Sequence, residues 1–171
     1  TLGLCPTAPG ALTLPDPPRK AQLRLSCQEG RIPGNTLNEK LDFLEKHGYE
    51  GLEPGGKGLS GRVGEFQKAL RGRSVRISAI CAGFEGVIIS DRESERRQAV
   101  ESMKEIMTAA GELDSTGLII VPAFNRHNQL PHKEARGILI ELLGELGEHA
   151  RKVKSRILLE PLNRKEAYFL R

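Results

Sequence analysis

Short apolar runs and longer amphipathic stretches alternate along this chain from Gln22 to its end. Leu23-Arg24-Leu25-Ser26-Cys27 reads as a first strand, and Gln28 to Asn35, with Gly30, Pro33 and Gly34, as the loop after it. Thr36-Leu37-Asn38-Glu39 has the spacing of a capping box. The helix it opens carries Leu37, Leu41 and Leu44 on one face, and Gly48 supplies the stop. Tyr49 to Leu52 predicts a second strand, running into Glu53-Pro54-Gly55-Gly56. A helix over about Val63 to Leu70 follows, then a third strand from Val75 to Ala82. Ser90-Asp91-Arg92-Glu93 has the spacing of a second capping box. Its helix places Val100, Met103, Ile106, Met107 and Ala110 at intervals of three and four. Gly117 to Ala123 predicts a fourth strand. A long helix from His132 to Lys154 buries Leu139, Leu142, Leu143, Leu146 and Ala150, and Ile157 to Glu160 forms a fifth strand.

The pattern is therefore βαβαβαβαβ. The strands are continuously apolar, as expected of a parallel sheet covered on both faces. Right-handed crossovers then leave two architectures, an open doubly wound sheet or a closing barrel. No G-x-G-x-x-G follows the first strand, which weakens the dinucleotide-binding sheet. The expected fold class is α/β, with a closing barrel favoured over the open sheet.

Composition changes this picture little. The 171 residues are enough to bury a real core, and a net charge of +4, from 26 basic and 22 acidic residues of mixed order, is too mild to argue for nucleic acid. Residues 1–20 hold five prolines and no periodicity; they read as a flexible lead-in, leaving 21–171 as the N-terminal portion of the barrel domain. Three cysteines, Cys5, Cys27 and Cys81, without CxxC spacing argue against a disulfide framework or structural zinc and suit a reducing, cytoplasmic setting. Cys27 and Cys81, both on strand-like runs, read as small buried hydrophobes. No apolar run is long enough to span a membrane.

Barrels gather the C-terminal ends of their strands on one face, and chemistry is placed there. Three carboxylates fall at such ends: Glu29, Glu53 and Glu160. Each has an ordinary reading as a loop cap or ion-pair partner, but Glu160 is followed by Pro161-Leu162-Asn163-Arg164-Lys165-Glu166.

That run resembles the E-x-x-N-R-x-E signature of the sugar isomerase and epimerase branch of the xylose isomerase-like TIM barrels, which includes D-tagatose 3-epimerase-like and hydroxypyruvate isomerase-like enzymes. The resemblance extends more weakly through Leu52-Glu53-Pro54-Gly55-Gly56, Ser78 to Gly83 and Ile119 to Ala123. It implies that Glu160 is a ligand of a divalent metal (Mn, Mg, Co or Zn) and an acid/base. It also implies that Glu166 faces the substrate and that Asn163 and Arg164 shape the loop holding Glu166. Glu53 is a further substrate-binding candidate. The implied reaction moves a proton alpha to the carbonyl of a sugar or sugar phosphate through an enediolate, which needs a carboxylate base and an electrophile.

The same superfamily contains abasic-site DNA endonucleases, which look to histidines at the ends of strands three and four. Those strands here run into Ala82-Gly83-Phe84 and Pro122-Ala123-Phe124, which argues against that branch. His127 reads as a loop histidine, and His47, His132 and His149 as surface groups on or beside helices. In the family, the remaining metal ligands come from strands six to eight. A complete (β/α)8 TIM barrel takes about 250 residues, so the resemblance implies that about the first five βα units are present, and the expectation is a fragment of a longer enzyme or a partial barrel that self-associates through its open edges. The rival class is a non-catalytic binding or assembly module.

Overall fold

The computed structural model describes residues 23–127 and 129–170. The proline-rich lead-in and Cys5 lie outside the described residues. Strands β1 (Ser26–Gln28), β2 (Gly51–Glu53), β3 (Arg76–Ile77), β4 (Ile80–Cys81), β5 (Leu118–Ile120) and β6 (Ile157–Leu159) alternate with helices α1 (Leu37–Lys46), α2 (Val63–Ala69), α3 (Glu93–Glu112) and α4 (His132–Val153). Single 3-10 turns at Glu29–Arg31 and Leu59–Arg62 follow β1 and precede α2.

All pairings are parallel, in two three-stranded sheets ordered β1-β2-β3 and β4-β5-β6. The run from Val75 to Ala82, expected as one strand, is split between them. Its first half pairs with β2, as Ser78 N donates to Leu52 O at 2.9 Å. Its second half turns to β5, with Ile80 N donating to Gly117 O at 2.9 Å, while Cys81 N still bonds Pro54 O at 2.9 Å. Ser78 is the pivot, because its carbonyl accepts from Thr116 N at 3.0 Å. The two sheets are thus one curled array whose neighbours follow chain order. A doubly wound sheet would reverse that order, so the arrangement is the wall of a barrel.

Small residues let the wall curl. Ser26 and Ser78 share a 2.6 Å hydroxyl hydrogen bond across Gly51. A Cβ at Gly51 would lie 2.7 Å from that of Ser26 and 3.0 Å from that of Ser78, so the three share the inner face. With a side-chain period of two, Glu53 emerges on the same face as Gly51, one step nearer the strand ends. The opposite face is apolar: Leu52, Ile80, Leu118 and Ile120 are fully buried in one core with Leu41, Phe66, Met103 and Leu146 of the helices.

The helix ends follow partly from sequence. Thr36 Oγ1 accepts from Glu39 N at 3.2 Å and the Glu39 carboxylate accepts from Thr36 N at 3.1 Å, completing the expected box. The second expected box is not formed. The cap of α3 is Arg92, and Ser90 Oγ instead accepts from Arg92 N at 3.1 Å and donates to Glu95 at 2.6 Å. The glutamate that Ser90 meets is therefore two residues further on than the motif spacing places it. Strand one also starts later than expected: Leu23 and Leu25 are exposed, and regular pairing begins at Ser26. No described helix is long and apolar enough to cross a membrane.

Helices α3 and α4 pack closely, held by Arg97 and Lys104 on Glu145 at 2.9 and 2.8 Å. At their ends a Cβ on Gly111 would come within 1.9 Å of the Val153 carbonyl oxygen, whereas one on Gly144 would enter open space. Forcing packed backbones apart costs about 1–3 kcal/mol, while removing a mid-helix glycine gains roughly 0.5–1 kcal/mol. Gly111→Ala is expected to lower the melting temperature and Gly144→Ala to raise it. Thermal melts followed by circular dichroism check this, and a Gly111→Ala variant as stable as the parent would contradict the packing described.

Candidate active site

Glu160 follows the last residue of β6, its backbone N–H bonded to Ile120 O at 2.9 Å. The ladder thus fixes where the carboxylate leaves the strand. It lines a cavity of about 290 Å³ together with Phe84, Val87, Phe124, Arg126 and His127. These come from the loops after β4 and β5, at the strand C-terminal ends where barrel chemistry sits.

Glu53 lies on the same face at the end of β2, with the bent β3–β4 segment and β5 between it and Glu160. Its partner in the β1–β2 register is Gln28, whose Nε2 donates to Glu53 at 2.9 Å and approaches Cys81 Sγ at 3.8 Å. Cys81 stands between the two carboxylates. Burial first, then the charges of Glu53 and Glu160, push its thiol above the usual range. A thiol so placed stays protonated at neutral pH and can only donate weakly. Sequence suggested buried, inert cysteines; both Cys27 and Cys81 are instead half-buried, and Cys81 faces the mouth. The signal was its position one residue before the end of the expected third strand.

Glu29 belongs to a different arrangement. Arg62 grips it with two hydrogen bonds of 2.8 and 3.0 Å while its guanidinium also covers the Phe66 ring at 4.5 Å. The Arg62 hydrogen bonds hold the Glu29 carboxyl below its ordinary range against the opposing effect of burial. Glu29 ties the turn after β1 to the start of α2, and is not among the residues lining the cavity.

The motif loop builds the rim. Asn163 Oδ1 accepts from Lys165 N at 2.9 Å, and Asn163 O accepts from Glu166 N and Ala167 N at 3.0 and 3.1 Å. Asn125, in the loop after β5, donates its side-chain amide to Arg164 O at 3.0 Å and its backbone N–H to Glu166 O at 2.8 Å. The two loops are therefore stitched together by backbone groups of the motif. The side chains of Asn163, Arg164 and Glu166 are exposed and stand on the rim; of the predicted residues only Glu160 lines the cavity, while Glu53 shares with it an electrostatic effect on Cys81.

His127 was read as an ordinary loop histidine, and the structure places it on the cavity. Its Nδ1 accepts from Phe124 N at 3.3 Å, and its ring meets Phe124 edge-on with centroids 5.5 Å apart. Burial, reinforced by Arg126, lowers its pKa, so the ring is neutral at pH 7 and its remaining proton resides on Nε2. Its place just past the end of a barrel strand was the available signal. Among the described residues no group of three His, Cys, Asp or Glu could hold a metal ion. Glu160 alone does not make a metal site, and the donor set present does not fit one.

A family model described as xylose isomerase-like TIM barrel matches residues 41–171. The 3-dehydro-D-guloside 4-epimerase of Escherichia coli K12 is 25% identical over 147 residues, which are 81% of this chain and 56% of that protein. The solved apo structure of 3-keto-D-glucoside 4-epimerase from E. coli superposes with a TM-score of 0.77 at 22% identity, covering 86% of this chain and 59% of the other. D-psicose 3-epimerase from Clostridium cellulolyticum H10, solved with D-tagatose, gives a TM-score of 0.75 at 15% identity, with 86% and 55% covered. These likenesses establish the fold, and the chain spans little more than half the length of the proteins it matches.

The Glu29–Arg62 pair carries a pH signature. A carboxylate with a depressed folded pKa contributes stability that is present above its unfolded value of about 4.3 and lost as pH falls through the folded one. Glu29→Gln is expected to cost about 1–2 kcal/mol at pH 7, reduced from a buried pair by solvent access to Arg62, and progressively less in acid. Urea titrations of both proteins from pH 7 downward check this. A difference that stayed constant across the series would remove the ionised pair as its cause.

Proposed function

The chain belongs to the xylose isomerase-like TIM barrel family, and from that premise we propose that it supplies five βα units of an enzyme that epimerises or isomerises a sugar or sugar phosphate. The observation that carries this reading is Glu160, held by the β5–β6 ladder on the wall of a cavity at the strand C-terminal ends, with Glu53 and Cys81 on the same face. The activities named for the E. coli and Clostridium proteins support it.

In this reading Glu160 takes the proton from the carbon next to the sugar carbonyl. That contribution is worth about 10²–10⁴ in rate for a positioned acid/base. The neutral His127, with its proton on Nε2, donates a hydrogen bond to an oxygen of the bound sugar. Glu53, oriented by Gln28, accepts from a sugar hydroxyl, and the Asn163–Glu166 loop, pinned through Asn125, fixes the rim and presents Glu166 to substrate. The apolar surfaces of Phe84 and Val87 exclude water from the reacting carbon. A divalent metal (Mn, Mg, Co or Zn) would stabilise the developing enediolate charge. Such a metal would need donors besides Glu160 that the described residues do not offer, so no step here is routed through it. The setting proposed is the reducing cytoplasm, which two free cysteines at the barrel mouth and wall suit.

One observation favours a second reading, a non-catalytic partial barrel that binds a second copy. Beside the edge strand β6, Ile140 is 59% and Leu159 39% exposed, around an open groove reaching Tyr168 and Phe169. An uncovered strand edge with apolar neighbours invites pairing.

Solvent deuterium incorporation separates the two. With Mn²⁺ added, the purified chain is expected to exchange the proton next to the carbonyl of D-tagatose or methyl 3-dehydroglucoside, as followed by NMR. Glu160→Gln is expected to slow this at least about 100-fold with an unchanged melting temperature. Exchange retained in that variant would remove Glu160 from the chemistry, and no exchange together with a stable dimer in light scattering would favour the assembly module.

A further inference from the structure

The cavity at Glu160 has a neighbour. A second hollow of about 430 Å³ shares Val87, Arg126 and His127 with the first and is otherwise lined by Ser90, Asp91, Arg92 and Glu95. Resting on the epimerase reading above, we propose that the two hollows form consecutive subsites for the two rings of a neutral keto-glycoside, with the oxidised ring beside Glu160 and the second ring against the start of α3.

Size and lining both point this way. The first hollow sits at the foot of the range of about 300–1,000 Å³ typical of small-molecule sites, and it bears aromatic and aliphatic surface with one carboxylate. That suits a ring whose reacting carbon must be shielded from water. The second lacks the phenylalanine rings of the first and keeps only the shared His127 as an aromatic group. Its planar carboxylate and guanidinium groups match paired sugar hydroxyls, which donate to one and accept from the other.

The shared wall is preorganised. The Arg126 guanidinium lies 4.0 Å from the centroid of the Phe124 ring, and His127 is held against the same ring by edge-on packing and by the Phe124 N–H. Phe124 therefore sets both groups that border the two subsites, and fixing them beforehand lowers the cost of ordering them around a ligand. The charge pattern is balanced. Arg92 is paired to Glu95, Ser90 Oγ donates to Glu95 at 2.6 Å, and Asp91 offsets Arg126 in the same lining, so a phosphate entering here would meet no net positive charge. A polyhydroxylated neutral ring needs none.

Calorimetric titration of the chain with three probes tests this: methyl 3-dehydroglucoside, a 3-dehydro disaccharide and ribulose 5-phosphate. The disaccharide is expected to bind about tenfold more tightly than the methyl glycoside, and Arg92→Ala, an exposed position, to bring that ratio within about threefold. Arg126→Ala is expected to weaken both glycosides. Equal affinity for the two glycosides, or tighter binding of the phosphate, would overturn the second subsite while leaving the epimerase reading intact. Binding of none of the three would overturn both.

Discussion

Everything at the candidate site depends on how residues 75–82 divide their hydrogen bonds. A strand that stayed with β2 throughout would leave β5 and β6 in a separate sheet, and Glu160 would have no fixed relation to Glu53. Because Ser78 donates to Leu52 on one side and accepts from Thr116 on the other, the chain passes from one sheet to the next without leaving the wall. The bend is accommodated by the small inner layer of Ser26, Gly51 and Ser78, which lets three strands approach where larger side chains would hold them apart. One consequence is chemical: the thiol at the end of the bent segment comes under the charge of both carboxylates, one from each sheet.

Three carboxylates expected at strand ends have three different fates, and the difference lies in what each finds within reach. Glu29 meets Arg62, a planar donor already braced on Phe66, and two short hydrogen bonds commit it to structure. Glu53 meets a neutral amide, which orients it without neutralising its charge. Glu160 opens onto a cavity wall of aromatic and aliphatic groups with Arg126 and His127 nearby. A carboxylate held by an arginine fork is a poor proton acceptor. This separates the structural carboxylate from the two candidates for chemistry more sharply than position at a strand end does.

Much of the fold was legible because periodicity reports burial directly. The faces Leu37-Leu41-Leu44 and Val100-Met103-Met107 are buried as spaced, and the Thr36 box closes as written. The misreadings share a cause, which is that local patterns do not encode partners distant in sequence. Val75 to Ala82 looks like one strand because its residues are uniformly suited to a sheet, and the change of partner at Ser78 comes from residues near 52 and 116. The Ser90 box fails because the side chain has a nearer use in bonding Arg92 N and Glu95. At the site, Glu160 and its motif were visible, and Glu53 followed from the strand-end rule. His127 was not, since a histidine three residues past Phe124 acquires its role only when that ring packs against it.

The exposed edge strand β6 bears on the candidate site through mechanics. The motif loop is stitched to the loop after β5 by Asn125, and its far end is anchored by buried Ala167 and Tyr168, which pack near His132 and the groove beside β6. Whatever covers that groove therefore presses on the segment that carries Asn163, Arg164 and Glu166. Covering Leu159 and Ile140 removes apolar area from water at about 25 cal/mol per Å² and at the same time holds the rim in place. Assembly of the barrel edge and ordering of the site are coupled, so an uncovered edge leaves the rim side chains exposed and the cavity wall formed by Glu160, Phe124 and His127 already set. The cavity wall around Glu160 is built into the described residues, and the placing of the rim that carries Asn163, Arg164 and Glu166 depends on what adjoins β6.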